Sequence, residues 1–202
     1  MEESNNKDIS CINFRDFLNS NYILFPKIQR DYAQGRDNKS DNGQASIVRR
    51  NFLKDIFDNK VQSLEFIFGT TIEITIENER KQCFVPIDGQ QRLTTLFLLY
   101  VYKEKVLIEC KDPIDEHEKE SIKLDNFSSV TRLAAQDFCK AIVKETWKIE
   151  EREGIHTDRI SYSLKNSKWF MDYWQYDPTV DSMLRMLDAI EQKYNERRIY
   201  PD

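Results

Sequence analysis

The chain has 202 residues, 40% hydrophobic and 12% aromatic, with only 5 Gly and 5 Pro; this composition excludes long disordered tracts and suffices to bury one core, alone or with a helical annex. Its formal net charge is −5 and neither half carries a cationic excess, which argues against a bulk nucleic-acid platform and leaves room only for a local basic pocket. Cys11, Cys83, Cys110 and Cys139 form no C-x-x-C pair, so a zinc site is not expected and the thiols read as reduced ones of a cytoplasmic protein.

The first residues, Met1 to Lys7, are polar and acidic with no apolar signal-peptide region, and the longest apolar run, Leu96 to Val101, is too short for a bilayer. No membrane association is expected. Ile12, Phe14, Phe17 and Leu18 predict a short first helix, followed by an extended apolar segment from Tyr22 that turns polar at Gln29. Residues 33–46 carry the turn formers Gly35, Asn38, Asp41, Asn42 and Gly43. Val48, Phe52, Leu53, Ile56 and Phe57 recur at helical spacing and predict an amphipathic helix over 44–58.

Leu64, Phe66 and Phe68 alternate, as do Ile72, Ile74 and Ile76, predicting half-buried strands broken near Gly69, with a hairpin turn at Asn78-Glu-Arg into a strand ending at Ile87. A helix too apolar to face water follows. Beyond about residue 108 a stretch dense in Lys, Asp and Glu (110–125) reads as solvated surface. Helices are predicted over 129–147 and from Asp177 (cap) and Pro178 (first position) onward, with Val180, Met183, Leu184, Leu187, Ile190 and Tyr194 on one face. Trp169, Phe170, Tyr173 and Trp174 read as core packing, since little basic charge interleaves them.

The most informative stretch is residues 84–100, where a short strand runs into Asp88-Gly89-Gln90-Gln91-Arg92 at the helix start. Such a junction presents free backbone N–H groups and a positive dipole end, suited to phosphate. Arg92 in the first turn opposes that dipole, at a cost of roughly 0.3–1 kcal/mol unless an anion sits beside it. The bland reading makes Asp88 an N-cap and Gln91 its capping-box partner. It leaves Arg92 unexplained.

Four segments together resemble one family: Phe25-Pro-Lys-Ile-Gln-Arg-Asp-Tyr-Ala-Gln-Gly-Arg, Leu64-Glu-Phe-Ile-Phe-Gly, Phe84-Val-Pro-Ile-Asp-Gly-Gln-Gln-Arg-Leu-Thr-Thr-Leu and Asp177-Pro-Thr-Val-Asp-Ser-Met-Leu-Arg-Met-Leu. The chain is similar to the DGQQR-containing N-terminal domain of GmrSD-like, type IV restriction enzymes and related phage-defence proteins. That resemblance implies an α+β fold: a small ParB/sulfiredoxin-like mixed sheet with packed helices over 1–108, then a mainly helical annex over 109–202 packed on or following it. It further implies nucleoside triphosphate binding, in some members hydrolysis, in a modification-dependent DNA restriction system. The implied partner is an HNH-type nuclease domain or subunit, in cis or in trans, through which modified DNA is met. His117 and His156 stand in no HNH context, so the chain is either part of a longer protein or a free-standing sensor.

The expected nucleotide site comprises Gln29, Arg30, Asp31, Tyr32, Asp88, Gly89, Gln90, Gln91, Arg92 and Thr95. Arg92 would grip two phosphate oxygens with its planar fork, and Gly89 would let the backbone approach. Gln29 would position a water or read the base, and Arg30 would add charge or form a surface ion pair with Asp31. Tyr32 stacks on a base or packs; Thr95 is chiefly a buried hydroxyl satisfying backbone. Asp88 either caps the helix or ligates Mg²⁺ bridging the phosphates. Should hydrolysis occur, Asp88, Gln91 and Arg92 are the expected catalytic set. Arg36, Arg49 and Arg50 read as a solvated face. A sulfiredoxin-like reductase is disfavoured because Gln90 stands where its cysteine belongs. A ParB-like nuclease lacks a visible metal cluster or base, and a non-catalytic nucleotide- or DNA-sensing module remains the main alternative.

Overall fold

The computed structural model describes residues 11–26, 31–36, 44–58, 66–76, 78–107, 122–129, 132–147, 151–152, 155–156 and 159–199. Leu64, the residues Gln29 and Arg30, and nearly all of the charged 110–125 stretch lie outside them; Phe66, the next residue of the expected Leu64 alternation, is in no strand and is 75% exposed.

Helix α1 (Phe14–Ser20) starts at Asn13, whose side chain accepts from Asp16 N, and leads into β1 (Tyr22–Phe25). Helix α2 is Gln44–Phe57, as its spacing predicts. Strands β2 (Phe68–Ile76) and β3 (Glu79–Asp88) form an antiparallel hairpin whose turn uses Asn78 at φ 66°, a left-handed conformation that asparagine tolerates. The predicted break near Gly69 is instead a register shift between Phe68 and Gly69 within one continuous strand.

Strand order is β2-β3-β1-β4, with β4 (Phe127–Ser129) and β3 both parallel to β1. The sheet is therefore mixed and the fold α+β. Because β2 lies at an edge, Phe68 and Ile72 are 56% and 41% exposed, more than their alternation suggests. Helix α3 (Gln90–Tyr102) is buried along Leu93 to Leu98 and again at Val101 and Tyr102. Its Phe97 stacks on Phe127 at 4.0 Å, and Phe127 meets Phe25 edge-on, so α3 lies on the Phe25 face of the sheet.

The helix predicted over 129–147 is shorter, α4 (Leu133–Lys144): Ser129 belongs to β4 and Arg132 is the N-cap. Helix α6 (Pro178–Ile199) begins where predicted: Asp177 Oδ1 accepts from the N–H groups of Thr179 and Val180 at 2.8 and 3.1 Å. Leu93, Phe97 and Val101 of α3 share one core with Phe138 and Ile142 of α4 and Val180, Met183, Leu187 and Ile190 of α6. Residues 1–108 and 109–202 thus contribute to one sheet and one core. Trp174 is buried against Phe138, Phe170, Trp169 and Tyr173, so the aromatic cluster packs on the core at Trp174, Phe170 and Trp169, while Tyr173 at its edge is 52% exposed.

Short helix α5 (Ile160–Lys165) has no cap of its own from Arg159. Two carboxylates of α6 cap it: Asp188 accepts from Ser161 N and Oγ, and Glu191 Oε2 accepts from Ile160 N at 3.0 Å. Burial raises the Glu191 carboxyl to about 7, with nearby Asp188 adding to the effect. A raised carboxyl means the ionised form is disfavoured in the folded state. The associated stability is therefore full below pH 4.5 and lost as pH rises toward 7. Glu191→Gln, which keeps an oxygen for Ile160, should be more stable to urea unfolding than the parent at pH 8, by about 1–3 kcal/mol. The difference should shrink toward zero or reverse at pH 4.5; a pH-independent difference would contradict this.

Candidate functional site

Strand β3 ends at Asp88 and α3 begins at Gln90. The residue between them, Gly89, is the N-cap at φ 86°, ψ 7°, with no side-chain cap. A Cβ there would lie 2.9 Å from Ile67 Cγ1, so both backbone conformation and space require glycine. This corrects the capping-box expectation. Asp88 is not the cap, its side chain is 79% exposed, and Gln91 serves elsewhere. A helix start capped by glycine alone leaves first-turn N–H groups without an intrahelical acceptor or a capping oxygen from the N-cap side chain. No acidic residue lies in this first turn, and Arg92 is its charged member. Arg92 Nη2 is 3.8 Å from Asp88 Oδ2, a separation longer than a hydrogen bond, with the arginine side chain 17% exposed.

Gln91 reaches across to the segment 31–36. Its Oε1 accepts from Ala33 N at 2.8 Å and Gln34 N at 3.3 Å, and its Nε2 donates to Asp31 O at 3.0 Å. One turn on, Thr95 Oγ1 lies 2.8 Å from Tyr32 Oη, 2.6 Å from Gln34 Oε1 and 3.0 Å from Gln91 O. The hydroxyl inventory is satisfied if Tyr32 donates to Thr95 and Thr95 to Gln34. Tyr32 is 4% exposed, and burial raises its phenol despite the Thr95 contact; of the two readings it packs. Thr94 donates to Gln90 O at 2.9 Å, while Gln90 itself lies in the first turn with its Nε2 3.5 Å from Pro86 O.

The same segment is tied down from the other side. Gly35 touches the backbone of α6: a Cβ there would be 1.7 Å from Ser182 O. Arg49 Nη1 of α2 donates to Gly35 O at 2.8 Å, and Arg36 Nη2 lies 3.6 Å from Asp31 Oδ2. Arg36 and Arg49 are therefore fasteners of this loop rather than the solvated face expected of them. Asp31 receives two hydrogen bonds from Arg132, Nε to Oδ1 and Nη2 to Oδ2, each 2.9 Å. The Arg132 hydrogen bond holds the Asp31 carboxyl below its usual range, against a smaller opposing effect of burial.

The structure thus brings Asp31, Tyr32, Gln91 and Thr95 together at the start of α3, beside Asp88, Gly89, Gln90 and Arg92. Gln29 and Arg30 lie outside the described residues, immediately before this loop, as do His117 and the side chain of His156. The residues that sequence reasoning missed are Gln34, Gly35 and Arg132. Gly35 offered a signal only as a turn former. Among the described residues no three His, Cys, Asp or Glu side chains converge as a metal cage. Such a cage is not what Mg²⁺ requires, since it is commonly held by one or two carboxylates plus phosphates and water. Cys83 and Cys139 are buried, which raises both thiols, Cys139 to about 12; neither is an activated nucleophile. No helix among the described residues is long and apolar enough to cross a membrane.

The family model of the GmrSD restriction endonuclease N-terminal domain matches residues 14–200, an interval that takes in every element from α1 to α6. No curated protein matches the chain at a significant level.

Proposed function

This chain belongs to the family of GmrSD restriction endonuclease N-terminal domains, and from that premise we propose that it binds nucleoside triphosphate phosphates at Gly89–Arg92 and acts as the regulatory domain of a modification-dependent DNA restriction system. The observation that carries the reading is a helix start with a left-handed glycine as its N-cap, no acidic residue in its first turn and an arginine in their place. Amide donors, dipole and guanidinium then favour the same anion. Gln90 and Gln91 supply backbone amides, Arg92 the bidentate charge, Gln29 of the adjoining segment a contact to the nucleotide base or a water, and Arg30 further charge. Asp88, exposed at the rim, is the residue to hold Mg²⁺ against the phosphates, which would neutralise their charge. The core is of ParB-like type in this reading, the protein acts in the cytoplasm, and its partner is an HNH-type nuclease domain or subunit that meets modified DNA.

Titration calorimetry with ATP, GTP and CTP, with and without Mg²⁺, tests it. Arg92→Ala should weaken binding roughly 10- to 100-fold, the size of one lost charge-assisted contact. Equal affinities in parent and variant, or none in either, would remove the proposal. Nucleotide binding without turnover is the second reading, favoured by one observation: the Gln91 amide is committed to the 31–34 backbone, so it is poorly placed to orient an attacking water. Phosphate release measured under saturating nucleotide separates the two readings.

A further inference from the structure

We infer that Arg132 is a positioning residue that couples the loop beside the α3 start to the first turn of α6, through Asp31 on one side and Asp177 on the other. The inference rests on the proposed nucleotide site for its purpose, though not for its geometry.

Arg132 occupies the N-cap position of α4 and makes no side-chain cap there. A cation at that position opposes the helix dipole and replaces the Ser, Thr, Asp or Asn that would satisfy the first turn. Its presence is explained by what it reaches. The fork grips both carboxylate oxygens of Asp31 at 2.9 Å, and its remaining Nη1 stands 3.7 Å from Asp177 Oδ2.

Each aspartate has a second task. Asp177 uses its other oxygen, Oδ1, to cap α6 at Thr179 and Val180. Asp31 is held by its own carbonyl to Gln91 of α3, so its side chain and backbone belong to different helices. A displacement of Asp31 therefore reaches Gln91 through the backbone and Asp177 through Arg132. Arg36, 3.6 Å away, adds charge on the loop's own side. Lone exposed ion pairs contribute little, and this one includes an arginine side chain 44% exposed. A bidentate grip on Asp31, whose backbone is held by Gln91, with the Asp177 carboxylate fixed by its cap bonds, loses less side-chain entropy than such a pair does.

The test is amide hydrogen exchange on the full chain, comparing the parent with Arg132→Gln, Asp31→Asn and the double variant. In ligand-free protein each single change should raise exchange at 31–36 and at 179–182 together, by about three- to tenfold. The double variant should add little to either, and high salt should mimic part of the effect in the parent only. Acceleration in one segment alone, or additive effects in the double variant, overturns the inference. In the second arm, ATP with Mg²⁺ should protect 179–182 in the parent and leave that segment unprotected in Arg132→Gln at matched occupancy. Equal protection in both also overturns it. Absence of nucleotide binding in the parent would defeat the proposed function, while the ligand-free arm would still decide the coupling.

Discussion

Gly35→Ala is expected to lower the melting temperature by roughly 6–12 °C. The added Cβ would stand 1.7 Å from Ser182 O and 2.4 Å from Ser182 C. Those are backbone atoms of the first turns of a 22-residue helix, so no rotamer change relieves the overlap. Either the loop leaves α6 or α6 shifts within a core that includes buried Val180, Met183 and Leu187. Overpacking of this kind costs about 3 kcal/mol, and a chain of this size loses about 2–4 °C per kcal/mol. Thermal unfolding followed by circular dichroism measures it. An unchanged midpoint would mean that the loop does not rest on α6, and the coupling through Arg132 would lose its frame as well.

The second large effect is expected at Gln91. Replacing it with alanine removes the acceptor of two partly buried N–H groups, those of Ala33 and Gln34, and the donor to Asp31 O. Backbone groups left unpaired inside a protein are expensive, so a loss of about 2–4 kcal/mol is expected in urea unfolding. Gln91→Glu keeps the acceptor oxygens and loses the donor, and should fall between parent and alanine variant. If Gln91 acted only on a bound nucleotide, both variants would unfold like the parent and differ only in binding or turnover. Stability therefore separates the anchoring role from a catalytic one, which nucleotide assays alone cannot do because a detached loop would also impair binding.

Both predictions concern residues in or beside recognised motifs whose chemistry was legible and whose partners were not. The string Asp88 to Arg92 signals an unusual helix start by itself. The carbonyl, amide and hydroxyl groups of Gln91 and Thr95 are countable from the sequence. Their partners lie about sixty residues away along the chain, as with the 58 residues between Ala33 and Gln91 and the 63 between Tyr32 and Thr95. The Arg132 grip on Asp31 spans 101. A local reading offered Gln91 the nearest available partner, a capping-box contact with the helix start, whereas the fold supplied a loop with bare N–H groups pressed against the same turn.

What the sequence determined alone is what depends on neighbours a few residues apart. Helical spacing set α2 and the buried face of α6, the Asp177-Pro178 pair set where α6 starts, and the run from Leu93 to Leu98 dictated that α3 be buried. Tertiary structure decided the rest. It made Gly89 rather than Asp88 the cap, since Asp88 ends β3 and the chain turns into α3 through a left-handed glycine packed against Ile67. It drew Phe127–Ser129 into the sheet beside β1 as a fourth strand. It also turned Arg36, Arg49 and Arg132, which in sequence are only charges awaiting solvent, into the fasteners of one loop. Periodicity encodes which face of an element is buried, and it carries no information about which distant donor will meet which acceptor once those faces close.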